Sequence, residues 1–132
     1  EPVSIGLKDS TLASVRKGML AVVSSSEGTA YRAFRDFPIA VAAKTGTAET
    51  GFEDRSSSNG LFICYAPADN PQVAIAQIVE KGAWGSNTIG IARDLLAAYF
   101  HLDEAEVTRT EPYEPGLPDV VPSPTPTAAA RR

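Results

Sequence analysis

The chain is poor in the residues from which most catalytic and metal sites are built. Its 132 residues include one cysteine, Cys64, and one histidine, His101. A single cysteine closes no internal disulfide and builds no multi-cysteine metal site. Cys64 lies in the apolar run LFICYA, where a buried and unreactive thiol is expected. His101 follows a helical pattern and reads as a helix-end residue near the last carbonyls. With no cluster of His, Cys and carboxylates at ligand spacing, no metal or organic cofactor is expected. No run of Lys or Arg forms a patch, and the formal net charge of −4 argues against nucleic acid as a partner. No stretch approaches the ~20 apolar residues of a membrane span. The chain opens Glu1-Pro2 with no basic, apolar leader. That start suggests a processed product or a piece of something longer.

What is present suffices for one domain with a modest core, since 43% of residues are hydrophobic. Composition changes near residue 101. Residues 1–100 hold ten acids and nine bases, and residues 101–132 six acids and three bases. Six prolines fall between Pro112 and Pro126, so the chain divides into a globular part, 1–101, and an acidic, Pro-rich disordered tail, 102–132.

Asp9 or Ser10 can cap a helix over about 10–25, with Leu12, Val15, Met19, Val22 and Val23 on one face and Gly28 as a stop. Strands are expected over about 39–47, 60–66 and 72–80. Pro67 and Pro71 bracket a short, turn-rich connection that makes the last two an antiparallel hairpin. Strand 72–79 alternates only loosely, which suggests cover on both faces. A second helix runs over about 88–100, started by Asn87 or Thr88, with Ile89, Ala92, Leu96, Tyr99 and Phe100 on one face. The expected fold is α+β, a mostly antiparallel three-stranded sheet flanked by helices.

The first strand ends Lys44-Thr45-Gly46-Thr47. The period of two puts Thr45 and Thr47 on one face, Lys44 and Gly46 on the other. Two hydroxyls at i and i+2 can grip one carboxylate, with lysine beside them as a point charge. Gly46 lets another backbone approach, so the strand could accept an extended peptide at a sheet edge. The Thr47 N–H could serve as one donor of an oxyanion hole. An ordinary strand end would use the same letters: threonine as a β-former, glycine as a bulge, lysine in water. A phosphate loop is excluded, because it places its glycines before the lysine and residues 38–43 contain none.

The neighbours of this run carry a resemblance. A helix with Leu12, Val15, Gly18-Met19 and Val22-Val23 precedes it, followed by Gly28-Thr29. After Lys44-Thr45-Gly46-Thr47-Ala48 come Phe62-Ile63-Cys64-Tyr65-Ala66-Pro67 and Pro71, a strand from Val73 to Glu80, a Gly-rich loop and a terminal helix. In this order the elements resemble the C-terminal part of the transpeptidase domain of class B penicillin-binding proteins, in the serine β-lactamase and penicillin-binding superfamily. The resemblance covers residues ~8–100 and implies the C-terminal portion of that superfamily's fold.

It further implies a peptidoglycan D,D-transpeptidase in which a serine attacks a D-Ala-D-Ala stem peptide and β-lactams trap the acyl-enzyme. Lys44 and Thr47 would be catalytic. Thr45, Gly46 and Thr47 would bind the substrate, with the Thr47 N–H as half of the oxyanion hole. The implied partners are the upstream part of the same protein and a cell-wall synthesis complex, on the extracytoplasmic side of the bacterial membrane. A non-catalytic penicillin-binding scaffold or receptor and a β-lactamase stay open as alternatives.

The nucleophile is expected upstream. Ser14-Val15-Arg16-Lys17 is formally Ser-x-x-Lys, but Ser14 lies mid-helix and off the apolar stripe, whereas the family's nucleophile opens a helix. Ser57-Ser58-Asn59 is formally Ser-x-Asn, but it follows the Lys-Thr-Gly element instead of preceding it. Asn59-Gly60-Leu61-Phe62 replaces the aromatic run that many members carry at that point. Glu49, Glu53 and Asp54 read as solvated loop charges.

Overall fold

A computed structural model of the chain describes residues 6–51 and 58–103. Glu53, Asp54 and Ser57 lie outside these residues, as does the expected tail from residue 104 on. The order is α1 (Asp9–Ser24), α2 (Tyr31–Phe34), β1 (Ala42–Ala48), β2 (Asn59–Ala66), β3 (Val73–Val79), a 3-10 turn (Gly85–Thr88) and α3 (Ile89–Tyr99). The strands form one antiparallel sheet in the order β1-β2-β3, so the expected α+β architecture is borne out.

β1 begins at Ala42, three residues later than expected, and its partner there is Tyr65. Continued backwards, this register would set Val41 opposite Ala66 and Ala40 opposite Pro67. Proline has no N–H to donate, and the Ala40 carbonyl accepts instead from the Ala68 N–H at 2.8 Å. The turn after β2 therefore sets the start of β1.

One sheet face is covered. It carries Ala43, Phe62, Cys64 and Ala66, packed with Val23 of α1, Phe34 of α2, Phe37, and Ile89, Ala92 and Leu96 of α3. The aromatic centre is Phe34, edge-on to Phe37 at 5.4 Å and stacked on Phe62 at 6.4 Å. The Arg93 guanidinium lies 5.8 Å above the centre of the Phe37 ring, a cation–π contact at the border of the core. Tyr31, Phe34 and Phe37 recur at a spacing of three, the signal for α2 that a reading centred on longer helices passes over.

Three expectations are corrected here. Neither helix has a side-chain N-cap; Asp9 is the first helical residue, and Thr88 Oγ1 donates back to the Gly85 carbonyl at 2.8 Å. Val15 (52% exposed) and Tyr99 (49%) do not join their helices' buried stripes, because α1 and α3 each rest on the sheet by a narrower line. β3 is not covered on both faces: Ala74, Ala76 and Ile78 are exposed, Ile78 at 67%.

α3 ends in a hydrogen-bonded cap. His101 sits at φ 55°, its N–H reaches the Ala98 carbonyl at 3.3 Å, and the Leu102 N–H reaches Ala97 at 3.0 Å. This pair of bonds satisfies carbonyls that the helix leaves open, which agrees with the helix-end reading of His101. Burial pushes the Cys64 thiol from 9.0 up to about 11, against an opposing backbone hydrogen bond at Ile75. A thiol so buried and held protonated is a weak nucleophile, in keeping with its apolar sequence context.

Candidate functional site

Among the described residues β1 is an outer strand of the sheet. Its register sets Thr45 opposite Phe62 and Thr47 opposite Gly60, on the covered face. Lys44 and Gly46 stand opposite Ile63 and Leu61 on the other face. The alternation read from the sequence is therefore the one observed.

Lys44 Nζ donates to the Thr45 carbonyl. In an antiparallel strand the N–H and C=O of one residue point to the same edge, and successive residues alternate. A Thr45 carbonyl within reach of the lysine faces the free edge, and the same parity turns the Thr47 N–H and C=O to that edge. Lys44 and Gly46 then spend their backbone groups on β2.

Each threonine hydroxyl has a partner behind it. Thr45 Oγ1 lies 3.0 Å from Thr29 Oγ1, at the turn between α1 and α2. Thr47 Oγ1 accepts from the Gly85 N–H at 3.3 Å. The 3-10 turn that supplies this amide is tied down further along, where Gln77 Nε2 of β3 donates to the Thr88 carbonyl. Bonds thus run from β3 through the turn to β1.

Close packing explains two glycines here. A Cβ on Gly85 would meet Leu61 O at 2.6 Å and Gly46 N at 2.8 Å. A Cβ on Gly60 would meet Thr88 Cγ2 and Trp84 O, each at 2.8 Å. The 3-10 turn thus presses on the sheet at Gly60, beside Asn59 at the start of β2. An open groove of about 340 Å³ lies between α1 and β1, lined by Gly18, Val22, Glu27, Thr29, Lys44 and Thr45, among others.

The Ser14 alternative finds no support in this geometry. Ser14 lies inside α1 and its Oγ donates to the Ser10 carbonyl at 2.9 Å. Thr29 and Gly85 were not singled out for the site, because their contacts to β1 span 16 and 38 residues of sequence.

The family model for the penicillin binding protein transpeptidase domain matches residues 2–99, most of the chain. The chain belongs to this family. Penicillin-binding protein 2B of Streptococcus pneumoniae is 33% identical over 100 residues, 72% of this chain and 15% of the relative. Peptidoglycan D,D-transpeptidase MrdA of Escherichia coli is 32% identical over 93 residues, 61% of this chain and 15% of the relative. The structure of Pseudomonas aeruginosa PBP2 in complex with WCK 5153 superposes with a TM-score of 0.67 at 33% identity, over 86% of this chain and 26% of that one. PBP2 in its complex with MreC from Helicobacter pylori gives 0.67 at 29% identity, over 77% and 20%. The chain spans 15% of the length of these curated relatives. It corresponds to a part of the transpeptidase domain, as the sequence resemblance implied.

Proposed function

We propose that this chain is the substrate-clamping part of a peptidoglycan D,D-transpeptidase that cross-links cell-wall stem peptides and binds β-lactams. The observation that carries the reading is the open edge of β1, where Lys44, Thr45 and Thr47 stand together with two hydroxyls backed from behind. An extended peptide adds to such an edge through main-chain hydrogen bonds. Its terminal carboxylate would accept from the Thr45 and Thr47 hydroxyls beside the Lys44 ammonium. The Thr47 N–H, turned to the free edge, would donate to the carbonyl oxygen as it becomes an oxyanion.

The nucleophile belongs to the upstream part of the protein. Its serine would attack the carbonyl carbon, expel D-alanine and leave an acyl-enzyme, which an amine of a second stem peptide then takes up. Lys44 contributes charge near both the nucleophile and the carboxylate. The exposed sheet face at Ile63 (46%) and Ile78 (67%) is where the rest of the transpeptidase domain would pack. The protein would work on the extracytoplasmic side of the bacterial membrane within a cell-wall synthesis complex.

Intact mass after exposure to excess benzylpenicillin tests this on two chains: these residues alone, and the longer chain through its upstream Ser-x-x-Lys. One acyl adduct on the longer chain only is expected. Acylation of the short chain would move the nucleophile to Ser14 and overturn the reading. No adduct on either would favour a non-catalytic scaffold.

A further inference from the structure

We propose that Thr29 is a positioning residue for the carboxylate clamp: its hydroxyl donates to Thr45 Oγ1 and so turns the Thr45 proton outward, toward substrate. The inference rests on the clamp reading above and extends the site to a residue of another element. The two oxygens are 3.0 Å apart. A threonine hydroxyl has one proton to give and lone pairs to accept with, whereas an ionised carboxylate only accepts. Once Thr45 commits its proton to a carboxylate, the bond to Thr29 persists only with Thr29 as donor. Thr47 is already in the corresponding state, because the Gly85 N–H that meets its Oγ1 can only donate. Both clamp hydroxyls are thus served from behind by donors, one a backbone amide and one a side chain. A hydroxyl that accepts a hydrogen bond becomes a stronger donor itself.

The turn that carries Thr29 is fixed on both sides. A Cβ on Gly28 would stand 2.6 Å from the Ala21 carbonyl oxygen, so the chain passes against the end of α1 at that point. The Ala30 N–H donates to the Val22 carbonyl at 3.0 Å, and Ala30 is 1% exposed. The Tyr31 N–H returns to the Gly28 carbonyl at 3.0 Å. Residue 29 lies between these anchors while its side chain is exposed on the groove that Lys44 and Thr45 also line.

The test uses the longer protein that carries this segment together with its upstream nucleophile. Acylation by benzylpenicillin, which bears one carboxylate, is followed over a range of concentrations. This separates the half-saturating concentration from the maximal acylation rate. Thr29→Val is expected to raise the half-saturating concentration about three- to ten-fold, the effect of one hydrogen bond, with a maximal rate near that of the parent. Thr29→Ala should reproduce this, and Thr29→Ser should restore the parent value. In a Thr45→Val background the Thr29→Val change should add nothing, since its route through Thr45 is gone. If Thr45→Val weakens saturation and Thr29→Val does not, or if the two effects add in full, the positioning role is wrong and the clamp survives. If Thr45→Val itself has no effect, the clamp reading falls, and this inference with it.

Discussion

Replacing Gly85 by alanine tests whether the 3-10 turn is held against β1 as tightly as the structure requires. The new Cβ would lie 2.6 Å from Leu61 O and 2.8 Å from Gly46 N, and ordinary contact begins near 3.4 Å. These obstacles, and Gly46 O with them, are backbone atoms of paired strands, so no flexible side chain can give way. The turn must retreat by about 1 Å, a strain of the overpacking kind that costs typically 1–3 kcal/mol. That retreat breaks the 3.3 Å bond from the Gly85 N–H to Thr47 and disturbs the 2.8 Å bond from Thr88 Oγ1, about 1 kcal/mol each. The sum is about 3–5 kcal/mol. For a domain of this family's size that corresponds to roughly 10 °C in the midpoint. The assay is the temperature at which brief heating removes half of the benzylpenicillin-binding capacity of the longer protein. Gly90→Ala in α3 is the matched control, because nothing lies within 4 Å of its Cβ position. It should stabilise by about 0.5–1 kcal/mol. A Gly85→Ala protein that melts within 2 °C of the parent (about 1 kcal/mol) and labels at the parental rate would refute the packing argument.

Two further outcomes follow from the described residues. Cys64 should resist thiol-specific alkylation at pH 8 in the native protein and react freely in urea, read by mass spectrometry of its peptide. Its thiol is raised from 9.0 to about 11 in the fold, so the native state binds that proton more tightly than the unfolded state. The resulting stabilisation, about 2–3 kcal/mol, is complete below pH 9 and is lost as pH rises toward 11; flat stability across that window would contradict it. His101→Gly should raise the melting midpoint by about 0.5–1 kcal/mol equivalent, since glycine adopts φ 55° without the steric cost that histidine meets. A loss of stability would show that the imidazole makes a contact worth more than that relief.

The parts of the fold that the sequence made plain are those encoded by local repetition. The α1 and α3 stripes, the Pro67 to Pro71 turn and the alternation through Lys44-Thr45-Gly46-Thr47 all follow from the pitch of a helix or the period of a strand. α2 is a single turn, and the spacing of three through Tyr31, Phe34 and Phe37 is too short a signal to stand apart from a loop, although Phe34 is in the core. The late start of β1 depends on Pro67, which lies 25 residues beyond Ala42 in the chain and meets it only through the sheet.

The division is similar at the candidate site. The residue types at positions 44–47, their spacing and their two faces were set by sequence alone, because side-chain direction in a strand is a local property. Which donors stand behind the hydroxyls was not. Thr29 reaches Thr45 and Gly85 reaches Thr47 only after α1 has turned back at Gly28 and the 3-10 turn has closed over β1 and β2. Such contacts join segments whose separation carries no periodic signal. A four-residue run fixes what chemistry the edge can offer, and the packing of distant elements around it decides where each proton points.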